Sequence, residues 1–143
     1  MQNSLMEKLM KLDRDKITEI PTQKIKAEHL SEVAGADMKI TIRALSGSRY
    51  TELVSSATGR NGSIDASKIY DAHAMVVAAA CIDPDLKNKE LMEYYKVVTP
   101  KELAKVLFPG GELVKISEKI GALSGFGKNE DAEDGIEYDD IKN

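Results

Sequence analysis

What this sequence has little of already narrows what it can be. It contains no Trp, two Phe and five Tyr in 143 residues. A core must therefore rest on Leu, Ile, Val, Ala and Met, which suits packed helices better than a large sandwich. The single cysteine, Cys81, cannot form an intrachain disulfide, and a reducing cytoplasm is expected. One Cys with two His (His29 and His73) is a poor basis for a Cys/His zinc site. "DPDLKNKE" lacks the glycine and the closing glutamate of a calcium loop. The longest apolar run, 74–82, is far short of the roughly 20 residues a bilayer span requires, and residues 1–20 lack the apolar stretch of a secretory signal. No Walker or dinucleotide-type glycine spacing occurs, although five of the ten glycines fall within 107–127. Those glycines sit where helices start and stop, so they are expected to punctuate helices and not to cradle phosphate. No cofactor, metal or catalytic set is expected.

Charge is equally uninformative about polyanions. Residues 129–143 hold seven acids and one base, net −6, and residues 1–128 hold 19 bases and 17 acids, net +2. A near-neutral body with an acidic end is not the footprint of a nucleic-acid binder. Residues 128–143 carry few large apolar groups and are expected to form a flexible acidic tail on a single domain, 1–127.

What is present reads as helices around a small hairpin. "SLMEKLMKLDRDKI" places Leu5, Leu9 and Leu12 at helical spacing beside Met6 and Met10, with Ser4 and Glu7 as a capping box. A helix over about 4–18 follows. Its apolar side is either core or a partner-binding surface. Leu5, Met6, Leu9 and Met10 are the candidate binding residues, because unbranched Met adapts to varied surfaces and a chain end can dock reversibly.

"MKITIRAL" alternates, with Met38, Ile40, Ile42 and Ala44 to one side, and "QKIKAEHL" alternates more weakly through Ile25 and Ala27. The two predict an antiparallel hairpin near 22–44, with a helical turn at "HLSEVAG". Further helices are expected after Ser46 (Tyr50, Leu53, Val54, Ala57), over 65–82, near 88–95, near 100–108 and over the stripe Leu113, Ile116, Ile120 and Leu123. His73 and Cys81 read as core residues. The helix near 100–108 has Thr99 as N-cap, Pro100 at its first position and Glu102 completing a capping box, with Leu103, Val106 and Leu107 as its apolar side. The fold class is α+β, mostly α-helical, with about five or six helices and a hairpin packed on them.

The order and spacing of several short elements resemble the XkdN-like phage tail assembly chaperones of contractile-tailed phages, defective prophages and phage-tail-like bacteriocins. The elements are Arg43-Ala44-Leu45-Ser46-Gly47 with Tyr50 soon after, Pro84 to Leu91, Thr99 to Leu103, Pro109 to Glu112, and Leu123-Ser124-Gly125-Phe126. The doubled glycine at 110–111 departs from the pattern, and the resemblance covers about residues 5–127. It implies a non-enzymatic protein that binds the tape measure protein and keeps it soluble in the bacterial cytoplasm. Such a protein yields to the tail tube protein as the tube grows and is absent from the mature particle. Self-association is expected, without nucleic acid or membrane. The competing reading is a structural tail or baseplate subunit retained in the particle.

Overall fold

The computed structural model describes residues 4–59 and 61–127. The tail expected over 128–143 lies outside them. The described chain runs α1 (Leu5–Leu9), α2 (Arg14–Ile17), β1 (Thr22–Lys26), α3 (Glu28–Ala34), β2 (Lys39–Arg43), α4 (Gly47–Val54), a 3-10 turn (Ser55–Ala57), α5 (Ala66–Ala80), β3 (Cys81–Asp83), α6 (Lys89–Tyr94), α7 (Pro100–Leu107) and α8 (Gly111–Leu123). It is a mostly helical α+β fold, as its sequence indicates.

The core is organised on α5. Seven of its residues (Ala72, Ala74, Val76, Val77, Ala78, Ala79 and Ala80) are buried, and five of these are alanines. Small side chains on several sides let α4, α7 and α8 all approach one helix. Phe108, Leu103, Leu113, Ile120 and Leu86 fill the space between them and are completely buried. The sheet lies on this bundle through β2, whose Ile40 and Ile42 face inward and contact α8's side of the core.

The hairpin forms with Thr22 opposite Arg43 and Lys26 opposite Lys39. The sheet also has a third strand that the pattern did not announce. β3 pairs antiparallel with β2 across a register irregularity at Thr41/Ile42. Cys81 and Ile82 therefore belong to a strand and not to the end of a helix over 65–82.

The helix expected over 4–18 is two short helices separated by a break at Met10–Asp13. The capping box on α1 is present, with Ser4 and Glu7 exchanging backbone bonds. Asp13, however, accepts from Asp15 N–H and starts a second helix. A local cap defeats periodicity here because no tertiary packing rewards continuation. This break and a full helix at 28–34 raise the count to eight α-helices among the described residues.

On α7 only half the expected capping box forms. Thr99 accepts from Glu102 N–H, while the Glu102 carboxylate turns toward Lys105 at 3.8 Å. Val106, expected on the apolar side, is half-exposed, and Ala104 takes the buried position beside Leu103 and Leu107.

Candidate partner-binding surface

Two apolar stripes compete for a binding role, and the structure separates them. Leu113, Ile116 and Ile120 of α8 are buried in the core, with Leu123 half-buried against it. Residues 4–20 do the opposite. No residue of α1 or α2 is buried. Leu5 is 72% exposed, Met6 67%, Leu9 50% and Met10 79%. The four sequence-derived candidates thus stand together on one short helix and its C-cap, Met10, outside the core.

They are joined by three residues the sequence reading did not nominate: Leu12, Ile17 and Ile20, all more than half exposed. Apolar residues on an unpacked terminal segment were the available signal. The continuous helix assumed for 4–18 hid the fact that the whole segment, and not one face of it, is unpacked. Its root is fixed where Ala44 N–H donates to the Pro21 carbonyl at 2.9 Å. The segment is an apolar arm attached to the end of β2.

A second exposed group lies on and after α6: Tyr94 and Val98, with the edge-to-face neighbour Tyr95. Tyr94 also lines an open depression with Pro84, Asp85, Asn88, Glu90 and Leu91. Nothing in the sequence pattern marks Tyr94 or Val98 as exposed.

The residues that carry the family resemblance have structural work. Leu45 N–H donates to Ser124 Oγ at 2.8 Å, and Tyr50 stacks on Phe126 with ring centroids 4.6 Å apart. The Arg-Ala-Leu-Ser-Gly element and the Leu-Ser-Gly-Phe element therefore latch onto each other. Glu112 accepts from Glu28 N–H at 2.6 Å and His29 N–H at 3.2 Å, closing the start of α3 from the far side of the sequence. Asn88 caps α6 through Leu91 N–H, and Leu86 is fully buried. Gly110, Gly125 and Gly127 have positive φ around the ends of α8, as punctuation requires, whereas Gly121 lies inside that helix and does not punctuate it.

The titratable groups fit the same picture. His73 Nδ1 lies 2.8 Å from Ser117 Oγ, and Ser117 is buried, so each satisfies the other within the body. Burial pushes the Cys81 thiol up to about 12, which keeps it protonated and inert. Asp71 ion-pairs with Lys105 and Lys101, and the hydrogen bond from Lys105 contributes most to holding its carboxyl below the usual value. Asp71 on α5 and both lysines on α7 make this a clamp between two helices. Among the described residues no group of His, Cys, Asp and Glu could hold a metal ion, and no helix is long and apolar enough to cross a membrane.

Comparison with known proteins agrees with the latched motifs. A family model described as phage XkdN-like tail assembly chaperone protein matches residues 6–142. The match runs beyond Gly127, where the motif-level resemblance stopped, so the acidic segment falls within it. The phage-like element PBSX protein XkdN of Bacillus subtilis (strain 168) is 36% identical over 77 residues, which is 53% of this chain and 49% of that protein. The chain thus spans about half the length of that curated relative. The crystal structure of the protein yqbn is similar with a TM-score of 0.54 at 25% identity, covering 81% of this chain and 98% of that one.

Proposed function

The chain belongs to the phage XkdN-like tail assembly chaperone family, and on that premise we propose that its client is the tape measure protein, held through the apolar arm. The observation that carries the reading is the exposure of Leu5, Met6 and Leu9 on a helix that buries nothing, and of Met10 at its C-cap. A tape measure protein is long, helical and apolar along its length, and it needs its apolar surface covered until tube subunits enclose it. Flexible Leu and Met side chains on a short arm suit many positions on such a surface.

The magnitudes suit a partner that must leave. Full burial of four such side chains gives roughly 6–12 kcal/mol at about 1.5–3 kcal/mol each. Losing translational and rotational freedom costs about 4–15 kcal/mol. One arm alone therefore binds weakly, and stable cover needs several copies acting along one client. Release as the tail tube protein displaces them is then easy. The role is non-enzymatic, acts in the host cytoplasm and leaves the chaperone out of the mature particle.

Co-expression tests the reading. The tape measure protein, aggregating alone, is expected to stay soluble with this chain and to co-purify with it. Proteomics of purified particles is expected to lack the chain. A client that remains insoluble in the presence of the chain contradicts the proposal, and stoichiometric retention in particles favours a structural tail or baseplate subunit instead.

A further inference from the structure

β1 has an open edge. Ala44 N–H donates to the Pro21 carbonyl at 2.9 Å and Ala27 N–H to the Met38 carbonyl at 2.8 Å, and the register between them runs without a slip. Gln23 and Ile25 therefore bond to β2, and the backbone N–H and C=O groups of Thr22, Lys24 and Lys26 point away from it. Among the described residues no strand pairs on that side, and β1 is exposed apart from the half-buried Ile25. Such a row of unpaired groups is a template for an added strand.

The side chains around the edge define what fits. Lys24, Lys26 and, across the pair, Lys39 share one face, while Ile25 packs against the core on the other. Glu28 and Asp37 approach Lys26 at 3.9 and 3.5 Å. Lys24 and Lys39 make no ion pair among the described residues. The edge suits an extended segment that is acidic on one side and apolar on the other. A second copy of β1 suits it poorly, because antiparallel edge pairing would bring Lys24 and Lys26 of the two copies together.

We propose that the occupant is the chain's own segment Ile136–Asp140, added as a strand along β1. Its sequence Ile-Glu-Tyr-Asp-Asp puts Ile136 and Tyr138 on one side of a strand and Glu137 and Asp139 on the other. With the carboxylates beside Lys24 and Lys26, the Ile and Tyr side chains extend the apolar surface next to Ile25. The connection is short. Ser124 Oγ is bonded to Leu45 N–H, and the preceding residue, Ala44, holds Pro21 at the start of β1. Phe126 stacks on Tyr50, so the C-terminal segment leaves the body from the Leu45–Tyr50 stretch that directly follows β2. Residues 128–135 span up to about 26–29 Å when extended, against about 17 Å for the whole of β1. The tether is longer than the edge itself, and it raises the local concentration of the segment to the order of millimolar. This surface begins at the root of the apolar arm but uses none of the arm's side chains, and it stands independently of the client proposed for that arm.

Residue-resolved amide exchange on the full chain tests it. Lys24 and Lys26 amides should exchange at least tenfold more slowly in the native chain than in the Tyr138→Pro variant, whose ring removes a donor and opposes pairing. Gln23 and Ile25 amides, bonded to β2, should be equally slow in both and report an intact hairpin. Replacing Glu137 and Asp139 together by Lys should speed the same two outward amides. Equal outward rates in the native and Tyr138→Pro chains would overturn the proposal. So would protection that disappears on dilution, which would assign the edge to a second copy.

Discussion

Helices α1 and α8 both carry large aliphatic residues at helical spacing, yet α1 buries none of them while α8 buries Leu113, Ile116 and Ile120. Spacing alone therefore does not distinguish a core face from an exposed one. α8 has 13 residues and lies against α5 and β2, so its stripe meets partners along its length. α1 has five residues and ends where a break begins, too short to hold itself without packing. Branching differs as well: α8 uses Ile, whose stiff side chain suits one fixed environment, and α1 uses Leu and Met.

The contrast breaks most sharply at the core. Leu113→Ala should cost about 2–5 kcal/mol of stability, because the side chain is fully buried and leaves a cavity; denaturant titration reads this, and a loss below 1 kcal/mol would mean α8 is looser than described. Gly121→Ala should cost about 1–3 kcal/mol. A Cβ there would sit 2.6 Å from the Tyr50 hydroxyl oxygen and 3.1 Å from its Cζ, and the ring has little freedom because it stacks on Phe126. A paired Tyr50→Phe substitution should recover part of the loss.

Acid should act on the clamp between α5 and α7. The Asp71 carboxyl titrates below its ordinary value of 3.8 in the folded chain. Its contribution is therefore fully present above that value and fades as pH falls through the lower folded value. Asp71 and Lys101 are more than a third exposed and Lys105 is 28% exposed, so solvent screening limits the contribution to less than about 1 kcal/mol. Asp71→Asn should slightly lower stability at neutral pH and flatten its decline below about pH 4; an unchanged acid limb would show that the clamp contributes nothing.

Much of the body was legible because its signals are local. Thr99-Pro100 starts α7, Ser46 caps α4 through Arg49 N–H, and the alternation through Ile40 and Ile42 sets β2 in its register. The parts that were not legible depend on distant partners. β3 lies at the end of an Ala-rich helical run, and only its pairing with Thr41 and Ile42 makes it a strand. Glu112 at the start of α8 closes α3, a contact that no nearby residue announces. The apolar group Leu5, Met6, Leu9 and Met10 is readable from composition and position, but the exposure of Leu12, Ile17 and Ile20 follows only from the break between α1 and α2.

The central claim is that the arm binds and the body folds, each without needing the other's apolar residues. Changing Leu9 and Met10 together to Ser tests it most directly, with the thermal melt and tape measure binding measured on the same preparation. The melting temperature should hold, with stability within about 0.5 kcal/mol of the native chain, while affinity falls by tens-fold or more, consistent with about 1.5–3 kcal/mol lost per side chain. A collapsed melt would place the arm in the core, and an intact melt with undiminished binding would place the client elsewhere on the surface.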